Sequence, residues 1–113
     1  MTVTLYHNPR CSKSRQALAL LKEKGVTPTI VEYLSEPPSA AELKRILGLL
    51  GIGPRALLRR KEAAEAGLDD PALSDDALIE RMVATPAVIE RPIVVSGGKA
   101  ALGRPPEKVL DIL

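Results

Sequence analysis

The chain has a single cysteine, Cys11, which stands in the run His7-Asn8-Pro9-Arg10-Cys11-Ser12-Lys13-Ser14-Arg15, a setting suited to a reactive thiol. The thiolate is the nucleophilic form of cysteine. Unpaired N–H groups and the positive end of the dipole at a helix N-terminus stabilise it. Arg10, Lys13 and Arg15 add positive potential, and Ser14, one turn along the expected helix, is placed to bring its hydroxyl near the sulfur. A thiol pKa below the free-cysteine value of about 8.5 is therefore expected. Successive N–H groups after Pro9 are expected to cradle a tetrahedral oxyanion beside the nucleophile. His7, the only histidine, closes the first strand within reach of the loop, where it can tune Cys11 or donate to an anion. The plainer readings are a small buried cysteine and a solvated loop histidine.

Three arginines stand at element boundaries: Arg59 in RALLRRK, Arg91 before Pro92, and Arg104 before Pro105. Each alone reads as a surface residue. Converging, they would present planar, permanently charged donor forks to an anionic substrate and its transition state. Pro92 is a candidate for a cis bond facing the cysteine loop.

The elements that position these residues follow from pattern. Val3 to Tyr6 reads as a strand stopped by His7, Asn8 and Pro9. SKSRQALALLKEK, from about Ser12 to Lys24, is rich in helix formers and meets Gly25 as a stop, which puts Cys11 at the helix N-terminus. Thr29 to Tyr33 is β-branched and aromatic, so a second, parallel strand after a helical crossover is expected. Ser39 with Glu42 has the spacing of a capping box before the apolar face Leu43, Ile46, Leu47 and Leu50. Pro54 opens a predicted helix running to about Ala66, and Ser74 caps another before Pro86. Ile93 to Val95 and Lys99 to Leu102 form a predicted hairpin whose Gly97-Gly98 pair supplies positive φ angles. Pro105 and Pro106 open a short terminal helix. The order implies an α/β fold, a small mixed sheet flanked by helices with a helical insertion between its halves. One domain spanning residues 1–113 is expected.

Composition narrows the function classes. Hydrophobic residues make up 45% and charged residues 27%, the balance of a globular protein. Tyr6 and Tyr33 are the only aromatic residues, so there are no platforms on which single-stranded bases could stack. The formal net charge of +2, without a basic run beyond Arg59, Arg60 and Lys61, gives no phosphate-binding stripe. Neither nucleic acid nor membrane is an expected partner. The start of the chain has no charged leader or apolar segment of membrane length, and a reducing cytoplasm would keep Cys11 a usable thiol.

Taken together, LYHNPRCSKSR, VEYLSEPPS, RALLRRKE, RPIVV and GRPPEKVLDIL resemble the ArsC-type arsenate reductases coupled to glutathione and glutaredoxin, across nearly the whole chain. The likeness is closest to the subgroup whose loop reads CSKSR. Ser12 and Lys13 stand where better-characterised members tend to carry a small neutral pair. The resemblance implies a thioredoxin-like fold with a four-stranded sheet and a helical insertion, and a cis Arg91-Pro92 bond. It implies Cys11 as nucleophile, Arg59, Arg91 and Arg104 as oxyanion-binding residues, and His7, Ser14, Arg15 and Pro92 in support. It further implies attack of Cys11 on arsenate and resolution of the adduct by glutathione as co-substrate, with glutaredoxin as partner. A chain with one cysteine fits, because its resolving thiol must come from elsewhere. No metal and no tightly bound cofactor are expected, and a monomer is the default. Two other readings are a glutathione-dependent thiol oxidoreductase acting on another substrate, and a thiol regulator similar to the RNA-polymerase-binding Spx family. The latter usually carries CxxC, whereas here Ser14 occupies the second position.

Overall fold

The computed structural model describes residues 2–113, which form two compact units: Glu36 and the residues before it with Arg91–Leu113, and Pro37–Glu90. The first unit is built on a four-stranded sheet of β1 (Val3–Tyr6), β2 (Thr29–Val31), β3 (Ile93–Ser96) and β4 (Lys99–Leu102), ordered β2-β1-β3-β4. β1 is parallel to β2 and antiparallel to β3, and β3 is antiparallel to β4. The mixed sheet expected from the sequence is therefore present.

Parallel neighbours need a crossover, and α1 (Ser12–Glu23) supplies it. Gly25, at φ 76°, takes the left-handed turn that ends α1 and lets the Val26 N–H reach the Leu21 carbonyl at 3.0 Å. Val3 and Leu5 alternate onto one face of β1 and join Val94 of β3. Ala17 and Leu21, one turn apart on α1, pack there with Val109 from the terminal 3₁₀ helix Pro106–Ile112. Leu5 and Leu21 are fully buried, each contributing about 1.5–3 kcal/mol through burial.

Two expectations are corrected in this unit. β2 stops at Val31 rather than Tyr33, because the Glu32 carbonyl accepts the N–H groups of Ser35 and Glu36 and turns the chain out of the sheet. In the hairpin only Gly97, at φ 60°, is left-handed, so one glycine and not the pair supplies the positive φ.

The second unit is helical, with α2 (Ala40–Leu50), α3 (Arg60–Glu65) and α4 (Asp75–Ala84). The Glu42 N–H donates to the Ser39 hydroxyl and the Ala77 N–H to that of Ser74, each at 3.1 Å, so both predicted caps form. Leu43, Ile46 and Leu47 of α2 are buried, as are Leu78, Ile79 and Met82 of α4, and the two helices pack together. The helix expected from Pro54 to about Ala66 is broken into a 3₁₀ turn, Pro54–Leu57, and α3. Leu58 and Arg59 are extended instead. The Arg59 N–H donates to Val88 O at 2.8 Å, the Glu90 N–H to Leu57 O at 2.7 Å, and Leu58 bridges Ile89. Pairing with the returning chain overrides local helix propensity there. Among the described residues no helix is long and apolar enough to cross a membrane.

Candidate active site

The loop after β1 is organised by Asn8. Its carbonyl accepts the Cys11 N–H at 2.9 Å and its side-chain Oδ1 accepts the Arg10 N–H at 3.0 Å, the local turn-making habit of an asparagine before proline. This alters the expected anion cradle, since the N–H groups that follow Pro9 are already engaged by Asn8. The open donors are those of the first turn of α1. Cys11 is the N-cap residue of that helix, with extended backbone at φ −90° and ψ 123°. The Arg15 guanidinium donates to Pro9 O at 2.9 Å and ties the loop to the helix.

Cys11 is a free, half-buried thiol. Desolvation is the largest single influence and pushes its pKa up. The Ser14 N–H, the Arg91 guanidinium, the Lys13 N–H and the Arg91 charge together outweigh it, so the thiol lies below its ordinary value. The sulfur makes no full capping hydrogen bond, so the two helix N–H groups act at longer range. The direction is the one expected, but the source differs. The side chains of Arg10, Lys13 and Arg15 are not among the groups lowering the thiol; the charge comes from Arg91, which immediately precedes β3.

Ser14 is fully buried and its hydroxyl serves the loop. It accepts the Asn8 N–H at 3.1 Å and lies 2.6 Å from His7 Nδ1, to which it donates in the Nε2–H tautomer. Its backbone N–H, rather than its hydroxyl, acts on the sulfur. His7 is 6% exposed, and burial lowers its pKa, opposed by the Glu32 carboxylate and assisted by the Arg15 charge. A neutral imidazole clamped to Ser14 therefore fixes the first turn of α1 against β1.

Arg91 has a buried Nε without a hydrogen-bond partner. Leaving such a donor unsatisfied costs about 1–3 kcal/mol, a cost that an incoming oxyanion would remove. Arg104 donates from Nε to the Arg91 carbonyl at 2.8 Å, bringing a second guanidinium beside residue 91. Pro92 is buried and its bond to Arg91 is cis, as the resemblance implies. The Arg104-Pro105 bond is also cis, which no sequence feature announces. Gly103 explains the junction between them. A Cβ there would lie 2.7 Å from Pro92 Cγ and 3.1 Å from Val109 Cγ1, so only glycine lets the two segments meet.

Cys11, Arg91 and Arg104 thus belong to one unit and are gathered around residue 91. Arg59 belongs to the Pro37–Glu90 unit, where it is held by Glu62 at 2.7 Å and Glu90 at 3.3 Å. Among the described residues no three His, Cys, Asp or Glu side chains cluster as a metal site would require.

The profile of the ArsC family matches residues 6–112. The chain is 47% identical to an arsenate reductase of Neisseria meningitidis, covering 98% of this chain and 97% of the relative. It is 54% identical to the uncharacterized protein YfgD of Escherichia coli strain K12, covering 98% and 96%. Among solved structures, an arsenate reductase from Vibrio cholerae superposes with a TM-score of 0.95 at 52% identity, covering 100% of this chain and 98% of that one. A related protein from Bacteroides fragilis, 21% identical, has the same fold at a TM-score of 0.80 over 90% and 91%. The fold is the thioredoxin-like one that the resemblance implies.

Proposed function

The chain belongs to the ArsC family, and from that premise we propose that it is a thiol-dependent arsenate reductase with Cys11 as its nucleophile. The observation that carries this reading is the pairing of a thiol of lowered pKa with an arginine whose buried Nε has no partner. One group is ready to attack an electrophilic centre. The other is ready to receive the oxygens around it.

Attack of the Cys11 thiolate on pentavalent arsenic forms an S–As bond and releases one oxygen as water after protonation, with no change of oxidation state. Reduction requires two electrons, which two thiols supply. One thiol bonds to the adduct arsenic and displaces a second oxygen as water; the other thiol attacks the sulfur of the first, an S–S bond forms, and the electron pair of the broken S–As bond stays on arsenic. Water then replaces the Cys11 sulfur on arsenic, its oxygen completing trivalent arsenite and its proton returning Cys11 to the free thiol. The net conversion is arsenate plus two thiols to arsenite, water and one disulfide. Cys11 is the only cysteine, so both thiols come from other molecules. We assign these to glutathione as co-substrate and glutaredoxin as partner, on the family resemblance. In this scheme Arg91 and Arg104 neutralise the oxyanion, and Arg59 is assigned to it by its family motif alone. His7, Ser14, Arg15 and Pro92 hold the loop and Arg91 in place.

The test is NADPH oxidation in the presence of arsenate, glutathione, glutaredoxin and glutathione reductase, comparing the wild type with Cys11→Ser. Arsenate-dependent turnover that vanishes in Cys11→Ser supports the assignment. Absence of turnover, with Cys11 still alkylated at neutral pH, retains the nucleophile and discards arsenate as its substrate.

A further inference from the structure

Of the basic run Arg59-Arg60-Lys61, only Arg59 has a place in the oxyanion chemistry. Arg60 instead lines a cavity of about 490 Å³ in the Pro37–Glu90 unit, together with Arg55, Ala56, Leu58, Ala63 and Asp69. That volume is in the range of small-molecule sites, about 300–1,000 Å³. The break in the expected helix is what lets these residues share one cavity. On a continuous helix Arg55 and Arg60 would lie about 140° apart around the axis. Here the 3₁₀ turn Pro54–Leu57 supplies Arg55 and Ala56, the extended Leu58 bridges to α3, and α3 supplies Arg60 and Ala63.

Elsewhere in this unit the cations are compensated. Lys44 pairs with Asp76, Arg45 with Glu42, and Arg59 with Glu62 and Glu90. Arg81 gives its guanidinium to the Ala66 carbonyl at 3.2 Å. Arg55 and Arg60 are in no ion pair among the described residues, and both face the same cavity. Arg55 is nonetheless fixed, because one of its terminal nitrogens donates to Asp70 O at 3.0 Å and to Leu73 O at 2.7 Å. Two carbonyls orient a guanidinium without neutralising it, and leave Nε and the other terminal nitrogen for a ligand. Asp69 is exposed and pairs with neither arginine.

Two charged forks suit a group with several oxygens and more than one negative charge, which a phosphate monoester has and a single carboxylate lacks. A bare phosphate ion would fill little of the volume, and Asp69 would repel it. The same carboxylate accepts protons from hydroxyl groups, and Ala56, Leu58 and Ala63 offer a carbon body an apolar wall. We propose that this cavity binds small hydroxylated phosphomonoesters, of the sugar phosphate class, with Arg55 and Arg60 on the phosphate and Asp69 on a hydroxyl group. The site is built from the helical unit alone, whereas Cys11, Arg91 and Arg104 belong to the other unit, so it stands whatever the substrate of Cys11 is.

The test is a titration of the full chain with glucose 6-phosphate, read residue by residue from backbone amide signals in two-dimensional spectra. The signals of Ala56, Leu58 and Ala63 should shift and saturate in the millimolar range. Arg60→Gln removes a side chain that makes no hydrogen bond among the described residues, so the fold should stand. It should weaken binding about tenfold, the effect of one charge-assisted contact. Glucose should shift none of the three signals, and inorganic phosphate should need about tenfold higher concentration than the ester to shift them. Shifts confined to Ser12–Ser14, in the first turn of α1, would mean that phosphate binds only beside Cys11 and would overturn the proposal. So would equal binding of glucose and the ester, equal binding of inorganic phosphate and the ester, or an affinity unchanged in Arg60→Gln.

Discussion

Arg59 gives Nε to Glu62 at 2.7 Å and a terminal nitrogen to Glu90 at 3.3 Å, with all three side chains about a quarter exposed. Arg91, by contrast, is in no ion pair among the described residues, keeps a buried Nε without a partner, and turns its guanidinium on the Cys11 thiol. Both side chains have the same charge and donor geometry. What differs is the company each keeps. A guanidinium with two carboxylates has its charge compensated and is stable as it stands, whereas one facing a thiolate still has donor capacity to offer. The difference teaches that residue type selects candidates for anion chemistry, and that partners decide which is poised for it.

Removing the poised arginine should have the largest consequence. Arg91→Ala takes away the side-chain hydrogen bond and the charge that help hold the thiol low, so the pH midpoint for iodoacetamide alkylation should rise. Arsenate turnover should fall about 10²- to 10³-fold, the usual effect of losing one preorganised donor to developing charge. Arg91→Lys should recover the midpoint better than the turnover, because lysine restores a charge but not the planar fork. If Arg91→Ala moves neither quantity, Arg91 is as satisfied as Arg59 and the contrast is lost.

The next effect is structural. Gly103→Ala places a methyl 2.7 Å from Pro92 Cγ, so Pro92 must shift and carry Arg91 with it. Urea unfolding should show a loss of about 1–3 kcal/mol, as overpacking at a tight contact does. The alkylation midpoint of Cys11 should rise in the same protein. Wild-type stability would mean that the junction tolerates a side chain and does not set the position of Arg91.

A smaller effect follows from linkage. The folded chain favours the Cys11 thiolate, so the unfolded chain keeps its proton up to a higher pH, about 8.5. Between the folded and unfolded values the unfolded state binds more protons, and stability rises with pH. The contribution is complete above the unfolded value and is lost as pH falls through the folded one. The stability of the wild type relative to Cys11→Ser, from urea unfolding, should therefore grow from pH 6 to pH 9. His7 titrates in both proteins and cancels in the difference. A flat difference would mean that the thiol is not lowered.

Much of this was legible in the sequence because the signals are local. Ser39 and Ser74 announce their caps, Gly25 stops α1, and the strand-turn-helix around Cys11 follows from His7, Asn8 and Pro9. What stayed hidden depends on chain segments meeting across long separations. The break at Leu58 and Arg59 arises from pairing with Val88 and Ile89. The charge on the thiol comes from Arg91 rather than from the neighbouring Arg10, Lys13 and Arg15, and the need for Gly103 is set by Pro92. Asn8 had a readable signal, an asparagine before proline, yet its engagement of both the Arg10 and Cys11 N–H groups is visible only in three dimensions.

The smallest effect concerns the satisfied arginine. A double-mutant cycle between Arg59 and Glu62, using Arg59→Met and Glu62→Gln, should give a coupling of about 0.5–1 kcal/mol. That is the range for a well-aligned pair that still touches water, after allowance for solvent screening. The pair is separated by three residues across the start of α3, so part of the coupling is a local contact at a helix N-terminus, where Glu62 also opposes the helix dipole's positive end. Salt should weaken it, since both side chains are about a quarter exposed. A coupling above about 3 kcal/mol would place the pair among buried ion pairs whose rupture strands a charge. Arg59 would then be a structural element of its own unit, and the family assignment of this residue to the oxyanion would have to be abandoned. A coupling in the expected range leaves its guanidinium cheap enough to share, which the assignment requires.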